Sequence, residues 1–191
     1  MPRHADLGAL EHFSREELLD YVSSVLWQYR LVDAFWFLKT EEHYGLSEAE
    51  RLNEDVWGIV GKLGARDIKE RFGQSHGINA GGLDGFARAL ALFPWSLLVG
   101  YELTQKADGS LELTIPECPA QAGRRKHGLG PYVCKHMHLA EFTAFAAEID
   151  PRIRVECRFA PPDPPEAKPA GCEHLECAWR FSMEPASSNP E

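Results

Sequence analysis

Five cysteines are the residues of this 191-residue chain whose type and placement most directly suggest chemistry. Residues 1–117 contain no cysteine, and all five follow from Cys118 onward. Cysteine thiolates are preferred ligands of zinc and of iron–sulfur clusters, so this clustering points to a metal site in the second half of the chain. Buried cysteines also act as small core hydrophobes, and that interpretation stays open. The five are Cys118, Cys134, Cys157, Cys172 and Cys177.

Four of these thiols stand at positions from which they could converge. Cys118 and Cys134 flank a polar loop, while Cys157 and Cys177 fall on one face of two predicted strands. If these strands pair, Cys157 and Cys177 are cross-strand neighbours. The chain lacks the C-x₂-C pair of a zinc ribbon, so the spacing of the cysteines does not by itself indicate zinc. The prediction of a zinc site rests on the ligand chemistry of the thiols, and an iron–sulfur cluster is the alternative.

Histidines close to the cysteines could complete a mixed site. His136 and His138 follow Cys134 in the segment Cys-Lys-His-Met-His, and imidazole and thiolate ligands both suit zinc. A pair of solvated loop histidines is the alternative. Cys172 and His174 lie before the last strand, and we regard them as accessory.

A short basic segment follows the first cysteine. Cys118, Gln121 and Arg124 recur at three-residue steps, so they share one side if the segment is helical. A helix N-terminus beside a guanidinium suits a carboxylate ligand, and this predicts that Gln121 and Arg124 orient a substrate. The alternative is a solvated basic turn.

Two acidic residues interrupt the apolar pattern of the first predicted helix. Asp33 and Glu41 are eight residues apart, which places them about 12 Å from each other, too far to act on one bond. Each therefore needs its own partner, and Arg66 on the next helix is a candidate. They are our candidates for proton transfer, and an ion pair between helices is the alternative.

The composition excludes several classes of function. The net charge is −9, which disfavours binding to nucleic acid or to an anionic membrane, since both require a basic face. No apolar stretch is long enough to span a bilayer and no signal peptide is visible, so we expect a cytoplasmic protein with reduced thiols. Motifs of serine hydrolases, P-loop enzymes and zincins are absent from the sequence.

The first half of the chain reads as helices. Ser14 and Glu17 form a capping box, followed by an apolar stripe that continues to about Tyr44. A second S-x-x-E at Ser47 opens a helix to about Phe72, and the two helices should pack as an antiparallel pair. A third helix is predicted over residues 83–93. Four aromatic residues in this layer could line a pocket or simply pack in the core: Trp27, Trp36, Phe37 and Trp57.

The second half alternates strands and helices. Residues 95–105 and 111–116 form a predicted hairpin, and strands are predicted over 153–159 and 176–183. Helical turns at 119–127 and a helix at 139–149 lie between them. This predicts a single α+β domain in which an N-terminal helical layer packs on a four-stranded, mainly antiparallel sheet. The helical lobe spans about 14–93, the cysteine-bearing lobe about 94–183, and 184–191 is a frayed tail.

Several motifs resemble a family of small bacterial and archaeal cytosolic proteins with a domain of unknown function, over about residues 14–183. More distantly, the chain is similar to L-2-amino-thiazoline-4-carboxylate hydrolases, which open a cyclic C–N bond. Its C-terminal part also resembles 4-vinyl-reductase-type small-molecule-binding domains. The motifs are D-A-F-W-F-L-K-T-E from Asp33, E-C-P-A-Q-A-G-R-R-K-H-G-L from Glu117, C-K at Cys134, I-D-P-R-I-R-V-E-C from Ile149, P-P-D-P from Pro161 and C-A-W-R-F from Cys177.

The resemblance implies which residues matter. It omits Cys172, which leaves four cysteines as metal ligands. This chain departs from the family at two places: Ala34 stands where glycine is usual, and histidines follow Cys134. Together with the candidate cysteine ligands and the distant similarity to the thiazoline hydrolases, the resemblance leads us to expect a zinc-dependent hydrolase of a cyclic amide-like or sulfur-containing small molecule; a metal- or ligand-binding sensor and a redox-active thiol protein are the alternatives. The implied positions are Asp33, Trp36, Glu41, Cys118, Gln121, Arg124, Cys134, Cys157 and Cys177.

Overall fold

Helices form the first half of the protein, and strands enter only after residue 100. A computed structural model describes residues 6–184. Its helices are α1 (Arg15–Tyr44), α2 (Leu46–Phe72), α3 (Gly82–Ala91), α4 (Pro119–Lys126) and α5 (Lys135–Ile149). Its strands are β1 (Glu102–Gln105), β2 (Leu111–Ile115), β3 (Ile153–Phe159) and β4 (Cys177–Met183). The predicted α+β class is confirmed, whereas most of the predicted tail lies outside the described residues.

Local sequence signals set the ends of the first two helices. The capping box is confirmed, because Ser14 N donates to Glu17 at 2.7 Å and Glu17 N donates to the Ser14 hydroxyl at 3.2 Å. Gly45, with φ of 87°, ends α1 and leads directly into α2. The second predicted capping box is wrong: α2 has no side-chain cap, and the Glu50 carboxylate instead accepts a hydrogen bond from Val133 N at 2.6 Å.

The sheet is antiparallel with strand order β1-β2-β4-β3. Cys177 pairs with Ile115 on β2, and Cys157 pairs with Trp179 on β4. Side chains two residues apart share a face of a strand, so Cys157 and Cys177 lie on one face as predicted. Because β3 pairs with β4, they are also cross-strand neighbours, and the pairing register makes them diagonal neighbours.

The core lies between this sheet and the helices α2, α3 and α5. Phe86, Phe145 and Phe181 are almost fully buried there, and the Phe86 ring lies 4.5 Å from that of Phe181 and 5.9 Å from that of Phe145. The α2 and α5 helices pack against each other along most of their length. Residues of both predicted lobes contribute to this one core.

The α1 helix differs from the other helices because none of its residues is buried. Its apolar stripe was expected to enter the core, but Val32 is 70% and Trp36 is 74% exposed. Every residue from 11 to 25 is exposed, and only the second half of α1 contacts the body of the protein, for example through Tyr29 and Phe37. No helix in residues 6–184 combines the length and apolarity needed to cross a membrane.

A comparison of two glycines tests the close packing of α2 on α5. A Cβ atom at Gly61 would lie 2.6 Å from the backbone oxygen of Glu141, whereas one at Gly58 would lie 3.7 Å from Ala140 Cβ. We expect Gly61→Ala to lower the free energy of unfolding by about 1–3 kcal/mol, because the helices must separate. Gly58→Ala should raise it by up to about 1 kcal/mol through helix propensity. Urea unfolding measures both, and equal effects would contradict the assigned contact.

Candidate active site

A cavity of about 70 Å³ lies beneath the second half of α1. Its wall combines α1, α2, the start of α4 and the first turns of α5. At about 30 Å³ per water molecule, it has room for roughly two waters or for the reacting group of a larger molecule. Polar and titratable groups from separate elements meet in this wall: Asp33, Asn53, His138 and Glu141.

Asp33 is the carboxyl group of the cavity wall whose acidity is altered. Burial raises the pKa of its carboxyl from 3.8 to about 6, and the nearby Glu141 acts in the same direction. The Trp57 side chain donates a hydrogen bond that lowers the pKa and only partly offsets burial. A carboxyl with a pKa near the pH of the cell can both accept and release a proton, as general acid–base catalysis requires.

His138 and Glu141 form a second pair on the same cavity wall. They are three residues apart on α5, and the His138 Nδ1 lies 2.8 Å from a Glu141 carboxylate oxygen. When the Glu141 carboxylate is ionised it accepts from Nδ1, and Nε2 is then the ring atom available to exchange a proton. The ring also stacks on Phe142 at 5.5 Å and meets the edge of Trp179 at 6.0 Å, which fixes its plane.

Aromatic side chains close the cavity around these groups. The Tyr29 ring lies 6.4 Å from Trp57 and 5.9 Å from Trp95, and the rings of Trp57 and Trp95 are 5.6 Å apart. Burial and the charges of Asp33 and Glu141 raise the pKa of Tyr29 well above its ordinary value, so its phenol stays protonated. These rings reduce the contact of the neighbouring polar groups with water, which strengthens the electrostatic interactions between them.

The four cysteines of the predicted metal site lie near one another. Cys118 precedes α4 and lines the cavity, and Cys134 precedes α5. Charges on Cys134, Cys118 and Cys157 would each raise the pKa of Cys177, which shows that the thiols are electrostatic neighbours. Burial raises the pKa of all four, to about 12 for Cys134 and about 11 for Cys157. In the metal-free protein they are therefore neutral thiols at physiological pH.

Proximity of the thiols does not amount to a coordination geometry. Within residues 6–184, no three His, Cys, Asp or Glu side chains are arranged so that they could hold a metal ion. Zinc and the alternative iron–sulfur cluster therefore stay predictions. His136 is exposed, and Cys172 packs on a separate small cluster with Phe159 and Leu175.

Arg124 and Glu41 pair with each other rather than facing the cavity. The Arg124 Nη2 donates to a Glu41 carboxylate oxygen at 3.0 Å, Nη1 donates to the other oxygen, and Nε donates to Gly130 O at 2.6 Å. The guanidinium carbon also lies 5.7 Å from the ring centres of Phe37 and Tyr132. Glu41 therefore forms the ion pair between helices that was the alternative interpretation. All three guanidinium nitrogens of Arg124 donate hydrogen bonds to protein groups.

The other predicted substrate-binding residues also lie outside the cavity wall. Gln121 is 1% exposed, and its amide nitrogen donates to Tyr132 O at 3.0 Å and contacts Cys134 Sγ at 3.7 Å. Trp36 faces solvent. Arg66, considered as a partner for the carboxylates of α1, pairs instead with Glu148 at 2.8 Å.

Sequence reasoning identified Asp33 but did not find Glu141 or Tyr29. The overlooked signal is an acidic residue on an apolar helix face, because Glu141 lies between the buried Met137 and Phe145. The sequence predicts that this helix begins at Leu139, whereas α5 begins at Lys135, so His138 lies in the helix and not in a loop.

Comparisons with known proteins give one match. The model of a family described as "Family of unknown function (DUF6125)" matches residues 11–183, nearly the whole chain. No curated protein matches, and neither does any solved structure. The expected resemblance to a family with a domain of unknown function is confirmed, while the similarity to thiazoline hydrolases and vinyl-reductase-type domains stays a prediction.

The pH dependence of stability tests the environment of Asp33. Its folded pKa of about 6 exceeds 3.8, so between these values the folded state binds more protons than the unfolded state. The carboxyl therefore lowers the free energy of unfolding as pH rises through this window, by about 2–3 kcal/mol in total. Asp33→Asn should be more stable than the wild type at pH 8, with little difference at pH 3.5.

Urea unfolding at both pH values measures this difference. Asp20→Asn removes one charge from an exposed position of the same helix and serves as the control. An Asp33→Asn effect that is the same at both pH values would show that Asp33 is not held in a desolvated site.

Thiol reactivity tests the state of the cysteine cluster. Because the thiolate is the reactive form, the buried Cys134 and Cys177 should react with a disulfide reagent at pH 7 at least about 100-fold more slowly than in urea. Cys172→Ser removes the thiol outside the cluster and should leave this slow class unchanged.

Elemental analysis of the same preparation tests zinc directly. One zinc per chain that is lost in Cys118→Ser would establish the metal site. Metal-free protein with the expected slow thiols would reject it and leave these cysteines as part of the core.

Proposed function

We propose that this chain, which belongs to the DUF6125 family of unknown function, is a small-molecule hydrolase that cleaves an amide-like C–N bond. The observation that carries the proposal is the desolvated Asp33 carboxyl, which shares a cavity with the His138–Glu141 pair. Titratable groups with altered acidity in a cavity are typical of catalytic sites. The choice of a C–N bond rests on the resemblance to thiazoline carboxylate hydrolases.

In the proposed reaction, the cavity groups move protons on opposite sides of the scissile bond. Ionised Asp33 accepts a proton from a water molecule while the oxygen of that water attacks the carbonyl-type carbon of the substrate. His138, when it carries both ring protons, delivers the one on Nε2 to the leaving nitrogen as the C–N bond breaks. Glu141 holds the ring by accepting from Nδ1, so it is a positioning residue.

An adjacent groove offers space for the rest of the substrate. It has a volume of about 600 Å³ and shares Pro119 with the small cavity. Arg30 lies in its wall, three residues before Asp33 on α1, and Glu102 and Glu117 line the same groove. Since a guanidinium suits a carboxylate, we propose that Arg30 takes the substrate-binding role that the sequence suggested for Arg124.

A binding module without catalysis is the second candidate. Its support is the wall of the cavity, where Trp57, Trp95 and Tyr132 surround the few polar groups. Ligand sites are commonly apolar with a small number of orienting polar side chains. In that case Asp33 and His138 would only orient the ligand.

The test is hydrolysis of a defined panel: thiazoline and thiazolidine carboxylates, and five- and six-membered cyclic amides that carry a carboxylate. Release of amine or thiol reports turnover. We expect kcat/KM of the reactive compound to rise with pH through about 6, as Asp33 ionises. Asp33→Asn should lower kcat at least about 100-fold, and Arg30→Gln should chiefly raise KM.

Asp20→Asn controls for charge, since Asp20 is exposed and outside both cavities. Turnover that survives in Asp33→Asn would reject the proposed site. Saturable binding of panel compounds without turnover would favour the binding module instead.

A further inference from the structure

Many of the apolar residues of α1 and α2 that face solvent fall in two stripes, one on each helix. In the α1 stripe the spacing alternates between three and four residues, with Tyr29, partly covered by Trp57 and Trp95, filling the central position. The α2 stripe has the spacing four, three, four. The exposed members are Leu18, Val22, Val25, Val32 and Trp36 in the α1 stripe and Leu52, Val56, Ile59 and Leu63 in the α2 stripe.

The exposed area is unusual for a monomer. Together with the neighbouring Tyr21 and Phe35, the stripes expose on the order of 1,000 Å² of apolar surface, whereas monomeric proteins rarely expose contiguous patches above a few hundred Å². A stable interface needs roughly 800 Å² from each partner. The two stripes therefore supply the area that one side of a stable dimer requires.

Within residues 6–184, the first half of α1 buries no side chain against the rest of the protein. All residues from 15 to 25 are exposed, and the aromatic contact of this segment is the local one between Phe13 and Tyr21 at 6.1 Å. An unsupported helix of about this length is only marginally stable in water. Packing from outside the chain would stabilise it.

We propose that the occupant is a second copy of this chain, paired through the α1 and α2 stripes about a twofold axis. Two helices joined by the single residue Gly45, each with a stripe of nearly heptad spacing, constitute half of a four-helix bundle. A twofold axis supplies the identical second half.

Charge favours this partner over a lipid surface. The stripe positions carry no charged residue, so a twofold pairing through them leaves no unpaired charge in the apolar contact. The acidic residues Glu16, Glu17 and Asp20 accompany the α1 stripe, and the chain carries a net charge of −9. An anionic membrane would repel this surface.

The dimer is inferred from the exposed stripes and not from the proposed hydrolase activity, and its test measures mass. Light scattering after gel filtration of the full-length chain should give twice 21.4 kDa. Val32→Glu and Ile59→Glu should raise the dissociation constant by at least about 100-fold, because symmetry places each new charge in the interface twice.

Ala34→Glu is the matched control. It adds the same charge at an exposed position of α1, two residues from Val32 and on the opposite side of the helix, so it should remain dimeric. Circular dichroism verifies that the variants are folded. Hydrogen exchange of residues 15–28 provides a measurement without substitutions, since their amides should lose protection when the wild type is diluted into the monomer.

Three results would overturn the proposal. The first is a wild type that stays monomeric at about 100 µM, well above the dissociation constants of stable interfaces. The second is equal dissociation of Ala34→Glu and Val32→Glu. The third is a monomer that binds phosphatidylcholine or phosphatidylserine vesicles through Val32 and Ile59, which would assign the stripes to a lipid surface.

Discussion

The close approach of α2 and α5 is the constraint on which the rest of the structure depends. At Gly61 the two backbones come so near that a methyl group would collide with Glu141 O. This contact sets the position of α5 between the helical layer and the sheet. It thereby places Glu141 and His138 opposite Trp57, and the cavity forms where these helices and the start of α4 leave a gap. Small residues at one helix crossing thus determine the geometry of a polar site.

A buried ion pair then fixes the helix that covers this cavity. Arg124 is 6% exposed and joins α4 to Glu41 near the end of α1. Such a pair adds little net stability over an apolar alternative, but its geometry allows one arrangement of the two elements. Since Asp33 lies two turns before Glu41, the pair also positions the candidate base. The Arg124–Glu41 pair therefore orients α1. It can support catalysis in this way without touching the substrate.

The sequence predicts local features well and long-range partners poorly. The capping box at Ser14 and the hairpin follow from neighbouring residues, and both are confirmed, although the first hairpin strand begins at Glu102 and not at residue 95. A guanidinium, by contrast, suits a substrate carboxylate and a protein carboxylate equally, and Glu41 lies 83 residues from Arg124. Spacing along the chain carries no information about which carboxylate comes near. For the same reason, the sequence does not show whether the four thiols come close enough to bind one metal ion.

The α1 stripe shows a further limit of prediction from sequence. It also relates the cavity to the proposed second copy, because α1 carries both Asp33 and the stripe. Periodicity identifies an apolar face but does not say which molecule covers it, so a face meant for a partner looks the same as one meant for the core. Here α1 contributes no buried residue, yet it carries Asp33 into a desolvated position, which disfavours the ionised carboxylate. A helix held on one side by Tyr29, Phe37 and one ion pair would relieve that cost by moving outward. Packing of the proposed second copy against the neighbouring α1 stripe would oppose this movement, so an interface that stabilises α1 would also keep its carboxyl desolvated.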